Sequence, residues 1–130
     1  MPRYLLDTHT LLWYSQKDAQ LPATLVETLA EPSAVRYISR ASLIEIAIKV
    51  NIGKLTLPQP YEAWLERTKF AGFRLLEIQH KHLKEFVRLP LHHRDPFDRL
   101  LIAQALTDDL TLVSRDGKFR DYAGLQLRWA

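Results

Sequence analysis

Short apolar runs alternate along this chain with longer stretches of helical spacing, and that alternation restricts the fold more than any other feature. Tyr4-Leu5-Leu6, Val35-Arg36-Tyr37-Ile38, Phe73-Arg74-Leu75-Leu76, Thr111-Leu112-Val113 and the segment from Gln126 to Trp129 read as strands. Helical patterns begin at Leu11 to Tyr14, run from Pro22 to Ala30 and from about Arg40 to Val50, and continue from Pro60 through about Ala71 and from Gln79 to Val87. A further helix starts at Asp95-Pro96, and a short one runs through Tyr122. Each crossover has room for a helix, so the strands can lie parallel. The expectation is one α/β domain over residues 1–130, with a mostly parallel central sheet of four to five strands.

Composition removes several kinds of chemistry. At 130 residues the chain is long enough to bury roughly two thirds of its unfolded surface without covalent staples. It has no cysteine, which excludes disulfides, thiolate zinc sites and cysteine nucleophiles and suits a cytoplasmic setting. The apolar run at Tyr4 to Leu6 is too short for a signal-peptide core, and no later run approaches a membrane span. The formal charge of +3 permits a polyanionic partner without requiring one.

The stretch from His92 to Ala105 organises the rest. Asp95 sits where an N-cap belongs, Pro96 takes the first helical position, and Asp98 falls in the first turn at the positive end of the helix dipole. Taken alone this is ordinary helix chemistry. Other acids change its meaning: Asp7 ends the first strand, and Asp116 follows the fourth. The helix after the second strand is apolar around most of its circumference, leaving Ser42, Glu45 and Lys49 as one narrow polar stripe. Glu45 is therefore either paired with Lys49 on the surface or aimed into a site.

In parallel sheets ligands sit beyond the carboxyl ends of the strands, where Asp7 and Asp116 fall and Glu45, Asp98 and Asp95 can reach. Two carboxylates ~4 Å apart repel by about 4 kcal/mol near a protein surface, so a divalent cation is needed to gather several. Oxygen donors without sulfur or nitrogen select Mg²⁺ or Mn²⁺, ions that meet substrate phosphates, and the pattern points to metal-assisted phosphodiester hydrolysis. His80 and His82 lie on different helical faces and make an unlikely zinc pair. Arg94, Arg99, Arg115, Lys118 and Arg120 are candidate nucleic-acid contacts, and Trp13 and Trp64 are candidate exposed aromatics for a partner.

Four segments together resemble PIN-domain ribonucleases of the VapC toxin type, over essentially the whole chain. They are Leu5-Leu6-Asp7-Thr8-His9, then Ser42 to Lys49 with Gly53-Lys54-Leu55, then Arg94 to Ala105, and finally Leu112-Val113-Ser114-Arg115-Asp116. The resemblance implies a three-layer α/β/α fold and Mg²⁺- or Mn²⁺-dependent cleavage of RNA. Its catalytic and metal-binding acids carry over as Asp7, Glu45, Asp98 and Asp116. It also implies a VapB-type antitoxin partner and a homodimer. Ser114 stands where the family usually has Thr, and its fourth acid is the most variable, so Asp116 carries less weight than the other three. Asp95 has no general counterpart and is read as a cap. The alternative from another class is a non-catalytic RNA- or protein-binding α/β module. Receiver domains and haloacid-dehalogenase-like phosphatases also end their first strand in Asp, but here Thr8-His9 follows with no second acid two positions on.

Overall fold

The computed structural model describes residues 1–69 and 71–129. Strands β1 (Arg3–Leu6), β2 (Val35–Ser39), β3 (Arg74–Leu76), β4 (Thr111–Val113) and β5 (Gln126–Arg128) form one sheet in the order β3-β2-β1-β4-β5. Every neighbouring pair is parallel, as the helical crossovers require. The helices are α1 (Thr8–Gln16), α2 (Ala23–Ala30), α3 (Arg40–Asn51), α4 (Tyr61–Lys69), α5 (His80–Arg88) and α6 (Pro96–Asp108), with a 3₁₀ turn at Gly117–Asp121.

Side-chain alternation along β1 builds two cores. Tyr4 and Leu6 pack with Leu11, Leu25, Leu29, Ile38, Leu43, Ile46 and Trp64 on one face of the sheet. Leu5 points the other way and packs with Leu101, Ile102, Leu112 and Phe119. The sheet is thus covered on both faces, which is the α/β/α layering expected. Among the described residues no helix is long and apolar enough to cross a membrane.

Several helices differ from the sequence pattern at their ends, α1 starting at Thr8, just after its Asp7 cap, where the pattern begins at Leu11. The one expected from Pro60 through Ala71 is helical over Tyr61–Lys69; Phe70 lies outside the described residues. Past it the chain turns at Gly72, whose φ of +85° suits a residue without a Cβ. The short helix expected through Tyr122 is a 3₁₀ turn that stops at Asp121.

The strand order reverses its sense at β1. Its chain continues to β2 on one side, while β4 joins on the other, so the crevice beyond the carboxyl ends of β1 and β4 is the switch point where parallel sheets bind ligands.

Candidate active site

Asp7 emerges from β1 directly into that crevice. It caps α1 by accepting the Thr10 amide at 2.8 Å, and its own amide donates to the Val113 carbonyl of β4 at 3.1 Å. The Thr10 hydroxyl donates to the same carbonyl, so the start of α1 is fixed to the end of β4. Asp7 is only 6% exposed, and among the described residues no ion pair reaches it.

Glu45 keeps the Lys49 pair, but not on the surface. Its Oε2 pairs with the Lys49 ammonium at 2.8 Å, the i,i+4 couple, yet the residue is buried. Its Oε1 accepts from the Thr8 hydroxyl at 2.7 Å, and Ser42 Oγ stands 3.1 Å from that hydroxyl. Thr8 thereby ties the carboxylate of α3 to the first turn of α1. In the sequence, only its place next to Asp7 marks Thr8 for this role.

Asp95 is the N-cap of α6, with Oδ1 accepting the Phe97 amide at 2.9 Å and the Asp98 amide at 3.2 Å. Pro96 follows at the first helical position. The cap holds Asp98 with its carboxylate turned into the crevice. Burial pushes the Asp98 carboxyl up to about 6; the Lys118 hydrogen bond opposes this, and the charges of Asp95 and Glu45 add to it.

Asp116 caps the 3₁₀ turn through the Lys118 amide at 3.1 Å, and its own amide donates to Ser114 Oγ at 3.0 Å. The Lys118 ammonium lies 3.0 Å from Asp98 Oδ2 and 3.3 Å from Asp116 Oδ2. Burial acts against ionisation of Asp116, but the Lys118 amide and ammonium outweigh it and hold the carboxyl below the usual range. Burial likewise opposes the charge on Lys118, and the two carboxylates raise it past the ordinary lysine value.

Asp7, Glu45, Asp98 and Asp116 line one cavity of about 80 Å³, together with Asp95, Lys49, Lys118, Thr8, His9 and Phe119. Their positions come from four separate segments of the chain. Among the described residues no three acidic or imidazole groups are drawn together as a ligand sphere, and Lys118 and Lys49 stand among the carboxylates. The donor set is oxygen only, and lysine ammonium groups already bridge or pair with three of the carboxylates. Both observations fit a site built for cations, with Asp7, Glu45, Asp98 and Asp116 able to hold a hard divalent ion.

The basic candidates divide. Arg94, Arg115 and Arg120 are exposed. Arg99 is turned inward: it is buried, donates to the Pro90 carbonyl at 3.0 Å and the His93 carbonyl at 3.4 Å, and lies over the Phe86 ring. It staples the loop ahead of α6. Lys118 sits inside the acid cavity instead of on its outer rim. Trp64 is not available to a partner either, being 2% exposed with its indole N–H donating to Ser15 Oγ. Trp13 is half-buried. His82 is wholly buried and bonded to Asp108 at 2.9 Å, a structural pairing and no part of this crevice.

Fold and cavity together define a parallel α/β domain with an oxygen-lined acidic crevice at the switch point of its sheet. The sequence profile of the PIN domain matches residues 4–125, and the chain belongs to the PIN domain family, a family of nucleases. Among solved structures, a chain of VapBC2 from Rickettsia felis bound to a DNA fragment from their promoter aligns at a TM-score of 0.76 and 19% identity. That match covers 98% of this chain and 99% of the other. DNA-bound VapBC from Salmonella typhimurium aligns at a TM-score of 0.73 and 17% identity over 98% of both chains. VapBC-5 from Mycobacterium tuberculosis, a member of the VapBC family of toxin-antitoxin systems, aligns at 0.68 and 18% identity over 100% of both. At such identities the likeness is one of fold. No curated protein matches the sequence.

Proposed function

We propose that this PIN domain is a VapC-type toxin, a Mg²⁺- or Mn²⁺-dependent endoribonuclease restrained by a VapB-type antitoxin and acting as a homodimer. One observation carries the reading: Asp7, Glu45, Asp98 and Asp116 come from four chain segments to line a single small polar crevice. The structural likeness to VapBC chains over nearly full length supports the toxin-antitoxin assignment.

A bound divalent ion supplies Lewis acidity at the phosphate and an acidified water for hydrolysis. The protein's own contribution is positional. Asp7 and Asp98 offer direct carboxylate ligands, one fixed by the α1 cap and the other presented by the α6 cap. Glu45, held by Thr8, orients water. Asp116 completes the acidic lining from the β4 side. Exposed Arg94, Arg115 and Arg120 supply cationic contacts to phosphates flanking the cut bond.

The test is direct. The purified chain is incubated with structured and unstructured RNAs in Mg²⁺, Mn²⁺ or chelator. Ion-dependent internal cleavage that vanishes with chelator supports the reading. RNA binding without cleavage under every ion condition leaves the non-catalytic module as the better account.

A further inference from the structure

Resting on the ribonuclease reading above, we propose that the exposed ring of His9, backed by Trp13, is the stacking platform for one nucleobase of the RNA strand beside the bond that is cut. His9 lies on the lining of the acid crevice, two residues after Asp7, and its side chain is exposed. One helical turn further on, Trp13 meets it ring to ring, with centroids 5.8 Å apart and planes inclined by 20°. Trp13 is itself held on other sides. Trp129 abuts it edge-on at 5.9 Å, and the Arg115 guanidinium stands 4.6 Å from its ring centre. Arg115 also donates to Gln20 Oε1 at 3.4 Å.

The imidazole is thus an exposed flat surface kept in place by a half-buried indole packed on the core. Rigid aromatic faces beside cationic groups are what single-stranded nucleic acids use, since every base has a π-face to stack. The crevice holds about 80 Å³, room for an ion and a few waters but not for a base. A strand whose phosphate reaches the carboxylates must therefore lay its neighbouring base outside, on the rim, and His9 is the aromatic ring there. Arg115 stands beside the same stack as a cation for the adjoining phosphate.

The experiment uses a short unstructured RNA in which a single abasic site is stepped across the cut position. Cleavage by the native chain, and binding in chelator by fluorescence anisotropy, are compared with His9→Ala and His9→Phe. At one position, loss of the base should lower both kcat/KM and affinity of the native chain by about tenfold. The Phe variant should keep that penalty. The Ala variant should lose it and should bind intact RNA about tenfold more weakly. The platform is overturned if no abasic position matters to the native chain, or if His9→Ala pays the same penalty as native. The abasic series on the native chain needs no variant to fold. A native chain that neither binds nor cleaves RNA overturns the ribonuclease reading itself, separately from His9.

Discussion

The ammonium of Lys118 stands 3.0 Å from Oδ2 of Asp98, filling with a side chain the position beside this carboxylate that a cation would take. It reaches Asp116 as well, so the two acids share one internal counter-ion. On the proposed function, a divalent ion held by these oxygens would displace the ammonium from them. Lys118→Gln removes the competitor, and divalent-ion affinity measured by calorimetry should rise by about fivefold, the worth of a partly exposed ion pair. Unchanged affinity would show that the ion enters without moving Lys118.

Asp98 gives the second prediction. Its folded-state value of about 6 lies above the ordinary 3.8, so the fold favours the protonated form. The corresponding stability is fully present below about pH 3.8 and is lost as pH rises through 6. At pH 7 without metal, Asp98→Asn should therefore be more stable than the native chain, by up to about 3 kcal/mol. The advantage should shrink toward pH 4. Saturating Mg²⁺ should stabilise the native chain more than the variant, because only the native site keeps its full ligand charge. Cleavage by the variant should fall by orders of magnitude. Thermal melts at both pH values, with and without Mg²⁺, check the first three statements, and a wild-type cleavage rate would sink the mechanism.

What the sequence disclosed follows the periodicity of its backbone. Strand-end logic brought Asp7 and Asp116 to one edge, cap chemistry put Asp95 and Asp98 in the first turn of α6, and the narrow polar stripe of α3 singled out Glu45. Caps and stripes are local, so residue spacing reports them. What spacing leaves open falls on side chains with reach. Arg99 and Lys118 looked alike as phosphate contacts, but one folds back onto loop carbonyls and the other bends into the acids. Both outcomes depend on which chain segments come near, which spacing does not encode. Trp64 shows the same limit: the sequence offers it as an exposed aromatic, but it is buried and closes against Ser15 of α1.

Asp95 separates a capping role from a catalytic one. Asn accepts amide hydrogen bonds at an N-cap about as well as Asp, so Asp95→Asn should preserve α6 and leave most cleavage intact. Asp95→Ala should cost about 1 kcal/mol of stability through the lost bonds to the Phe97 and Asp98 amides. Denaturant melts and cleavage rates measured on both variants check this. A collapse of activity in the Asn variant would move Asp95 into the metal-holding set.

The last prediction divides the basic residues by burial. Arg99 spends its guanidinium on the carbonyls of Pro90 and His93 and on the Phe86 ring. Arg99→Gln should cost about 2–3 kcal/mol, the scale for losing charged hydrogen bonds to part-buried carbonyls. Arg120 is exposed and beside the crevice turn, so Arg120→Gln should leave stability within about 0.5 kcal/mol of native. Its effect should appear in RNA binding, where losing one phosphate contact lowers the slope of log affinity against log salt by about 0.7 for a single strand. Urea melts and salt titrations on the two variants check both halves. An Arg99 variant as stable as native, with a flattened salt slope instead, would return Arg99 to the nucleic-acid surface.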